Sequence, residues 1–195
     1  MAAIAVSADG DHIFLALEDT SGFPVIITCE RASLGTFTAA YNPGAGSAAN
    51  VASVPGNPDL MLFYGNFGSG VQVISHVIST GVNTNISPAG LTTKICNTLA
   101  VNPSDSDEII ITINTDQDLL RTIDGGANWS SLYAVLGVDP TGLAVRWDDP
   151  DRVYVAGYDG ADVDLLYSPN EGDYFTDVSG AALKAAAGVV GVETT

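Results

Sequence analysis

Positive charge is nearly missing from this chain: six of 195 residues are Lys or Arg, against 23 Asp and Glu, for a formal net charge of −17. Phosphate backbones and anionic headgroups are bound through clustered cations that displace counterions, so nucleic acid is excluded as a partner. Membrane insertion is excluded too, because no run approaches the ~18 apolar residues of a membrane-crossing helix. Cysteine is equally scarce. Cys29 and Cys96 are far apart and in no CxxC or Cys/His pattern, which predicts two free, buried thiols rather than a metal or redox centre. The chain has two histidines, no G-x-S-x-G elbow and no phosphate-cradling G-x-x-x-x-G-K, so nucleophilic triads and nucleotide loops lack their material. The opening MAAIAVSADGDHIF has no basic residue ahead of an apolar stretch, so no secretion signal is expected.

What is present is 46% apolar residues, enough for a core, arranged in a repeat. IAVSADGDHIFLAL from Ile4, VASVPGNPDLMLFYG from Val51, LAVNPSDSDEIIITI from Leu99 and LAVRWDDPDRVYVAG from Leu143 each hold an apolar triplet, a Pro/Gly/Asn/Asp turn, an aspartate and an apolar run. The aspartates, Asp11, Asp59, Asp107 and Asp151, are 48, 48 and 44 residues apart. Short Val/Ile/Tyr/Phe runs between turn clusters are the hairpin signal, not the helical one. Further strands follow in DLLRTI and NWSSLY, then in VDLLYS and YFTDVS. Four strands in about 40 to 50 residues is the period of a propeller blade. The expected fold is all-β: one propeller domain over 1–195, with blades near 4–48, 49–95, 96–140 and 141–187. A sandwich of four similar hairpin pairs is the competing arrangement. The tail GAALKAAAGVVGVETT ends in what reads as one more first strand. Residues 188–195 are expected to close a small ring, to pair with another chain or to begin further blades.

TIDGGANW, with Thr122, Asp124, Gly126 and Trp129, resembles the Asp-box, the S/T-x-D-x-G-x-x-W signature of sialidases, sortilin-type receptors, xyloglucanases and photosystem assembly factors. SPNEGDYF is a looser copy, with Ser168, Asn170 in place of the aspartate, Gly172 and Phe175 in place of the tryptophan. The resemblance covers the last two units and degrades in the first two. It implies a turn between the third and fourth strands of a blade, away from any binding face. The residue types suit that role: a carboxylate accepting backbone N–H groups of its own turn, two glycines for positive φ and an indole packed beneath.

In an up-and-down blade the one-to-two and three-to-four turns share one end, here the framework end. The two-to-three loops share the other, and variable loops on a rigid scaffold are where binding usually sits. Tyr64, Phe67 and Tyr158, beside Asn66, Asp116, Gln117, Asp118 and Asp159, are the candidates for stacking on a sugar or anchoring a protein; covering blade edges is the alternative use of the aromatics. Asp159, Asp162 and Asp164 form an oxygen-rich loop that suits calcium but lacks EF-hand spacing, so solvated loop acids are the favoured reading. No other cofactor is implied.

Sialidases resemble one another in three arginines that grip a carboxylate. This chain has Arg31, Arg121, Arg146 and Arg152, two of them in or beside framework turns, so that pocket is not expected. Xyloglucanase-like enzymes are far longer. The expected function is a non-catalytic module that binds glycan or protein and self-associates, in a setting such as a virion or surface appendage. A glycoside hydrolase of Asp-box type is the alternative.

Overall fold

In a computed structural model, the structure describes residues 3–91, 94–114, 118–134, 136–147 and 151–180. Apart from one 3₁₀ turn, Arg31–Ser33, all of its helix or strand is β. Blade 1 holds β1 (Ala3–Val6), β2 (His12–Glu18), β3 (Pro24–Glu30) and β4 (Thr38–Tyr41). Blade 2 holds β5 (Ala48–Ser53), β6 (Leu60–Asn66), β7 (Val73–Val77) and β8 (Val82–Asn85). Blade 3 holds β9 (Cys96–Asn102), β10 (Asp105–Ile113), β11 (Asp118–Thr122) and β12 (Ser130–Tyr133). Blade 4 holds β13 (Asp139–Arg146), β14 (Arg152–Tyr158), β15 (Val163–Ser168) and β16 (Thr176–Asp177). Each blade is one four-stranded antiparallel sheet with strands in sequence order, the propeller arrangement rather than the sandwich. The first strands of the blades start at Ala3, Ala48, Cys96 and Asp139.

The repeated aspartates have a common backbone task. The carbonyls of Asp11, Asp59, Asp107 and Asp151 accept the N–H groups of Arg31, Ile78, Gly125 and Glu171 at 2.7–3.0 Å. Each bond ties the first framework turn of a blade to its second. The side chains add to this: Asp59 takes the N–H and hydroxyl of Ser79, both at 2.7 Å, and Asp11 pairs with Arg31 at 2.9 Å.

Three cores join the blades in series. Phe14, Ala16 and Ile26 of blade 1 meet Val51, Met61 and Phe63 of blade 2. Val54, Leu62 and Val73 of blade 2 meet Cys96, Ile109 and Ile111 of blade 3. Ile110 and Leu119 of blade 3 meet Val145, Val153 and Val155 of blade 4. Among the described residues no fourth core joins blade 4 back to blade 1, and the strand contacts run 1–2, 2–3 and 3–4. This explains why β10 is buried continuously from Glu108 to Ile113 while β2 alternates: blade 3 is covered on both faces and blade 1 on one. Both cysteines are free and buried, and burial raises the Cys96 thiol far above its ordinary pKa.

Candidate functional site

The turn at 122–129 satisfies itself. Asp124 accepts the N–H of Asn128 at 2.8 Å, its side-chain amide at 2.7 Å and the Thr122 hydroxyl at 2.8 Å, and these bonds hold its carboxyl below the usual range. Thr122 Oγ1 in turn accepts the N–H of Gly126 at 2.9 Å. Gly126 has φ +90°, and a Cβ there would lie 2.6 Å from Ile86 Cβ, so the position demands glycine. The Trp129 indole donates to the Ile86 carbonyl at 2.8 Å. The turn therefore clips blade 3 to blade 2. The second copy repeats the plan: Ser168 Oγ accepts the N–H of Gly172 at 3.0 Å, the Ser168 hydroxyl reaches Asn170 at 3.1 Å, and Phe175 packs edge-on against Tyr133 of blade 3 at 5.1 Å. These eight residues work on the framework, with Asp124 aimed at its own loop.

At the loop end the fold divides the expected binding residues. Tyr158 stands open, 46% exposed, beside exposed Asp159. Phe67 is buried in the core between blades 1 and 2, edge-on to Tyr41 at 5.3 Å. Tyr64 packs against the core between blades 2 and 3, and burial lifts its phenol to about 12. For these two aromatics the blade-covering use is the one realised, because the neighbouring blade supplies a wall that their own loop does not show. Asn66 uses Oδ1 to hold the N–H of Gly68 at 2.9 Å. Asp118 opens β11, while Asp116 and Gln117 lie outside the described residues. Phe23, 38% exposed, is a second open aromatic at this end that loop composition had not singled out.

The acids of the blade 4 loop bond within the loop and at its base. Asp159 Oδ1 caps the N–H groups of Ala161 and Asp162 at 2.8 and 2.7 Å, and Asp164 is buried at the base of the loop, where it accepts from the Ser179 hydroxyl at 3.3 Å. Among the described residues no three His, Cys, Asp or Glu side chains gather as metal ligands would. Of the weak calcium candidates Asp159, Asp162 and Asp164, the first caps its own turn and the last bonds Ser179.

Acids stand at both ends, but the cations are unequally shared. All four arginines lie at the framework end, in or beside its turns. The loop end carries Glu18, Asp19, Asp118, Asp139, Asp159 and Asp162 against one cation, Lys94, among the described residues. The two histidines, 64 positions apart in the chain, share a cleft of about 410 Å³ between blades 1 and 2 with Phe14, Thr28 and Glu30. His76 stacks on Phe63 at 5.0 Å and donates from Nδ1 to Asn83 at 3.0 Å, whose amide donates to the Ala40 carbonyl of blade 1 at 2.9 Å. Burial, partly offset by Asn83 and Asp59, lowers the His76 pKa from 6.5. The folded protein therefore prefers the neutral ring, and that stabilisation is complete above the unfolded value and lost as pH falls through the folded one. Unfolding midpoints of the wild type are expected to decline more steeply from pH 7 to pH 5 than those of His76→Gln, with the same relief of acidic repulsion in both. Parallel profiles would contradict this.

No family model matches the sequence and no curated protein matches it. Its fold is nevertheless shared with solved propellers. A YCF48 structure bound to D1 peptide has TM-score 0.58 at 16% identity over 92% of this chain and 52% of that one. The GH74 xyloglucanase of Xanthomonas campestris has TM-score 0.63 at 16% identity over 91% and 30%, and TolB of Acinetobacter baumannii 0.61 at 12% over 88% and 41%. The chain thus spans about half or less of each of these proteins, and the likeness is one of fold.

Proposed function

We propose that this propeller is a non-catalytic interaction module whose loop end docks a basic segment of a protein partner that carries an apolar or aromatic side chain. The observation that carries the reading is the pairing of open Tyr158 and Phe23 with an end whose described charges are acidic but for Lys94. An end of one sign steers an oppositely charged partner, and a rigid aromatic supplies contact area at little entropic cost. That a YCF48 structure of the same fold is bound to a peptide supports this class of function. The carboxylate of Asp159 caps its own loop, which favours binding over hydrolysis as the alternative. A glycan stacked on Tyr158 is a second form of the reading, favoured by the same ring beside Asp159. The reading includes self-association, in keeping with a virion or surface assembly; the C-terminal strand expected to be exchanged lies outside the described residues.

A library of short Lys- and Trp-containing peptides, screened in parallel with a glycan array, tests the site. Retained peptides are expected to bind the Tyr158→Ala variant at least tenfold more weakly and to lose affinity with added salt. If nothing is retained on either array, or if Tyr158→Ala binds as the wild type does, the loop end is not the site.

A further inference from the structure

At the framework end, the joint between blades 1 and 2 and the joint between blades 3 and 4 are built on equivalent positions, and a cation fills the second. There Arg121 bonds Glu108 of its own blade and reaches Asp151 and Glu171 of blade 4 at 3.9 and 3.4 Å. The repeat gives each of these four residues a counterpart at the first joint. Phe14 faces Thr28 across β2 and β3 as Ile110 faces Arg121 across β10 and β11, so Thr28 stands where blade 3 has its arginine. His12, directly after Asp11, stands for Glu108, directly after Asp107. The carbonyls of Asp59 and Asp151 accept the N–H groups of Ile78 and Glu171, which makes Asp59 the counterpart of Asp151 and Ile78 that of Glu171.

A threonine at the arginine position removes the guanidinium and its stem, and the first joint is hollow. The cleft of about 410 Å³ is lined by His12, Thr28 and Ile78, and Asp59 borders an adjoining hollow with His12 and Glu30. Such a volume lies within the ~300 to 1,000 Å³ of small-molecule sites. Polar atoms are left over in it. Thr28 Oγ1 and His12 Nδ1 are buried without a hydrogen-bond partner. His76 is 4% exposed and lines the same cleft. Its Nδ1 proton goes to Asn83, whose orientation is fixed by the Ala40 carbonyl, so the neutral ring leaves Nε2 as a lone pair with no donor among the described residues. Buried acceptors without donors are costly. No Lys or Arg lines the cleft among the described residues, and Arg31, at its outer edge, is turned to solvent and paired with Asp11 at 2.9 Å.

We propose that this cleft binds a guanidinium group from outside, in the place that Arg121 takes at the equivalent joint. A planar fork of N–H donors suits a hollow whose free polar atoms are acceptors, better than the compact, strongly hydrated charge of an ammonium does. Glu30, in register with His12 on the same face of blade 1, supplies the counter-charge that a sheltered cation needs, and Phe14, Ala39 and Ala40 supply apolar wall for the stem. The site is at the opposite end of the blades from Tyr158 and does not depend on the loop-end reading.

Calorimetric titration of the full chain with butylguanidinium, with its uncharged isostere butylurea and with the peptide acetyl-Gly-Arg-Gly-amide tests this. Butylguanidinium is expected to bind one-to-one, at least tenfold more tightly than butylurea, and to shift the His76 ring nitrogens in NMR spectra. Thr28→Arg, which gives blade 1 the side chain that blade 3 has, should abolish binding. Glu30→Gln, at an exposed site, should weaken it at least fivefold, and circular dichroism confirms folding of each variant. A peptide bound at least as tightly as butylguanidinium upholds the site and assigns the group to an arginine of a protein partner; a free cation bound more tightly upholds it and assigns a small molecule. No binding of any probe, equal binding of butylurea, or an affinity unchanged in both Thr28→Arg and Glu30→Gln overturns the proposal. Tyr158→Ala should bind butylguanidinium as the wild type does, so the two sites can fail separately; loss of binding in that variant would place the cation at the loop end and overturn the proposal as well.

Discussion

Phe63→Ala is expected to lower the free energy of unfolding by about 3 to 5 kcal/mol, the cost of removing a buried aromatic and leaving the space it filled. Phe63 is fully buried in the first core, with Phe14 at 5.9 Å, Tyr41 at 6.3 Å and the His76 ring at 5.0 Å. These rings come from both blades, so the cavity would open in the joint itself, where neither sheet can collapse without moving the other. Phe63→Leu, which keeps most of the volume, should cost about a third as much. Urea unfolding measures both. A loss under about 1.5 kcal/mol for the alanine variant would mean that the blades are not held by this contact.

Arg121→Leu is expected to cost about 3 kcal/mol at neutral pH. The guanidinium bonds Glu108 within blade 3 and reaches Glu171 at 3.4 Å and Asp151 at 3.9 Å in blade 4. Glu108 is 8% exposed, and its other oxygen takes the Asn102 amide at 2.5 Å. Removing the arginine strands a carboxylate where water cannot solvate it, which is far costlier than the pair is beneficial. Arg121→Leu combined with Glu108→Leu should recover most of the loss. A single variant as stable as the wild type at neutral pH would show that the pair is solvated and of no structural weight.

The framework was the legible part of this sequence because it is local. DLLRTI and NWSSLY, joined by a turn with two glycines, became β11 and β12, since strand propensity, turn chemistry and the Asp124 cap all act within twelve residues. The spacing of Asp11, Asp59, Asp107 and Asp151 gave the blade count, though its reason, a carbonyl that ties two turns together, is a backbone matter on which side-chain identity is silent. What stayed hidden depends on the neighbouring blade. GNFG reads as an open loop, yet Phe67 is walled in by Tyr41 from blade 1. EIIITI carries no mark of which isoleucines face forward, because both faces are covered. His12 and His76 meet across a joint that no spacing rule connects. The acids of GYDGADVD looked convergent because they are close in sequence, whereas strand alternation and the cap at Asp159 send their oxygens to separate tasks.

Electron microscopy of the purified chain, with blades counted in averaged views, tests the central claim that one four-stranded sheet is built four times in series. The account predicts four blades per chain, each packed face to face on the next. Two sheets stacked face to face as a sandwich would contradict it.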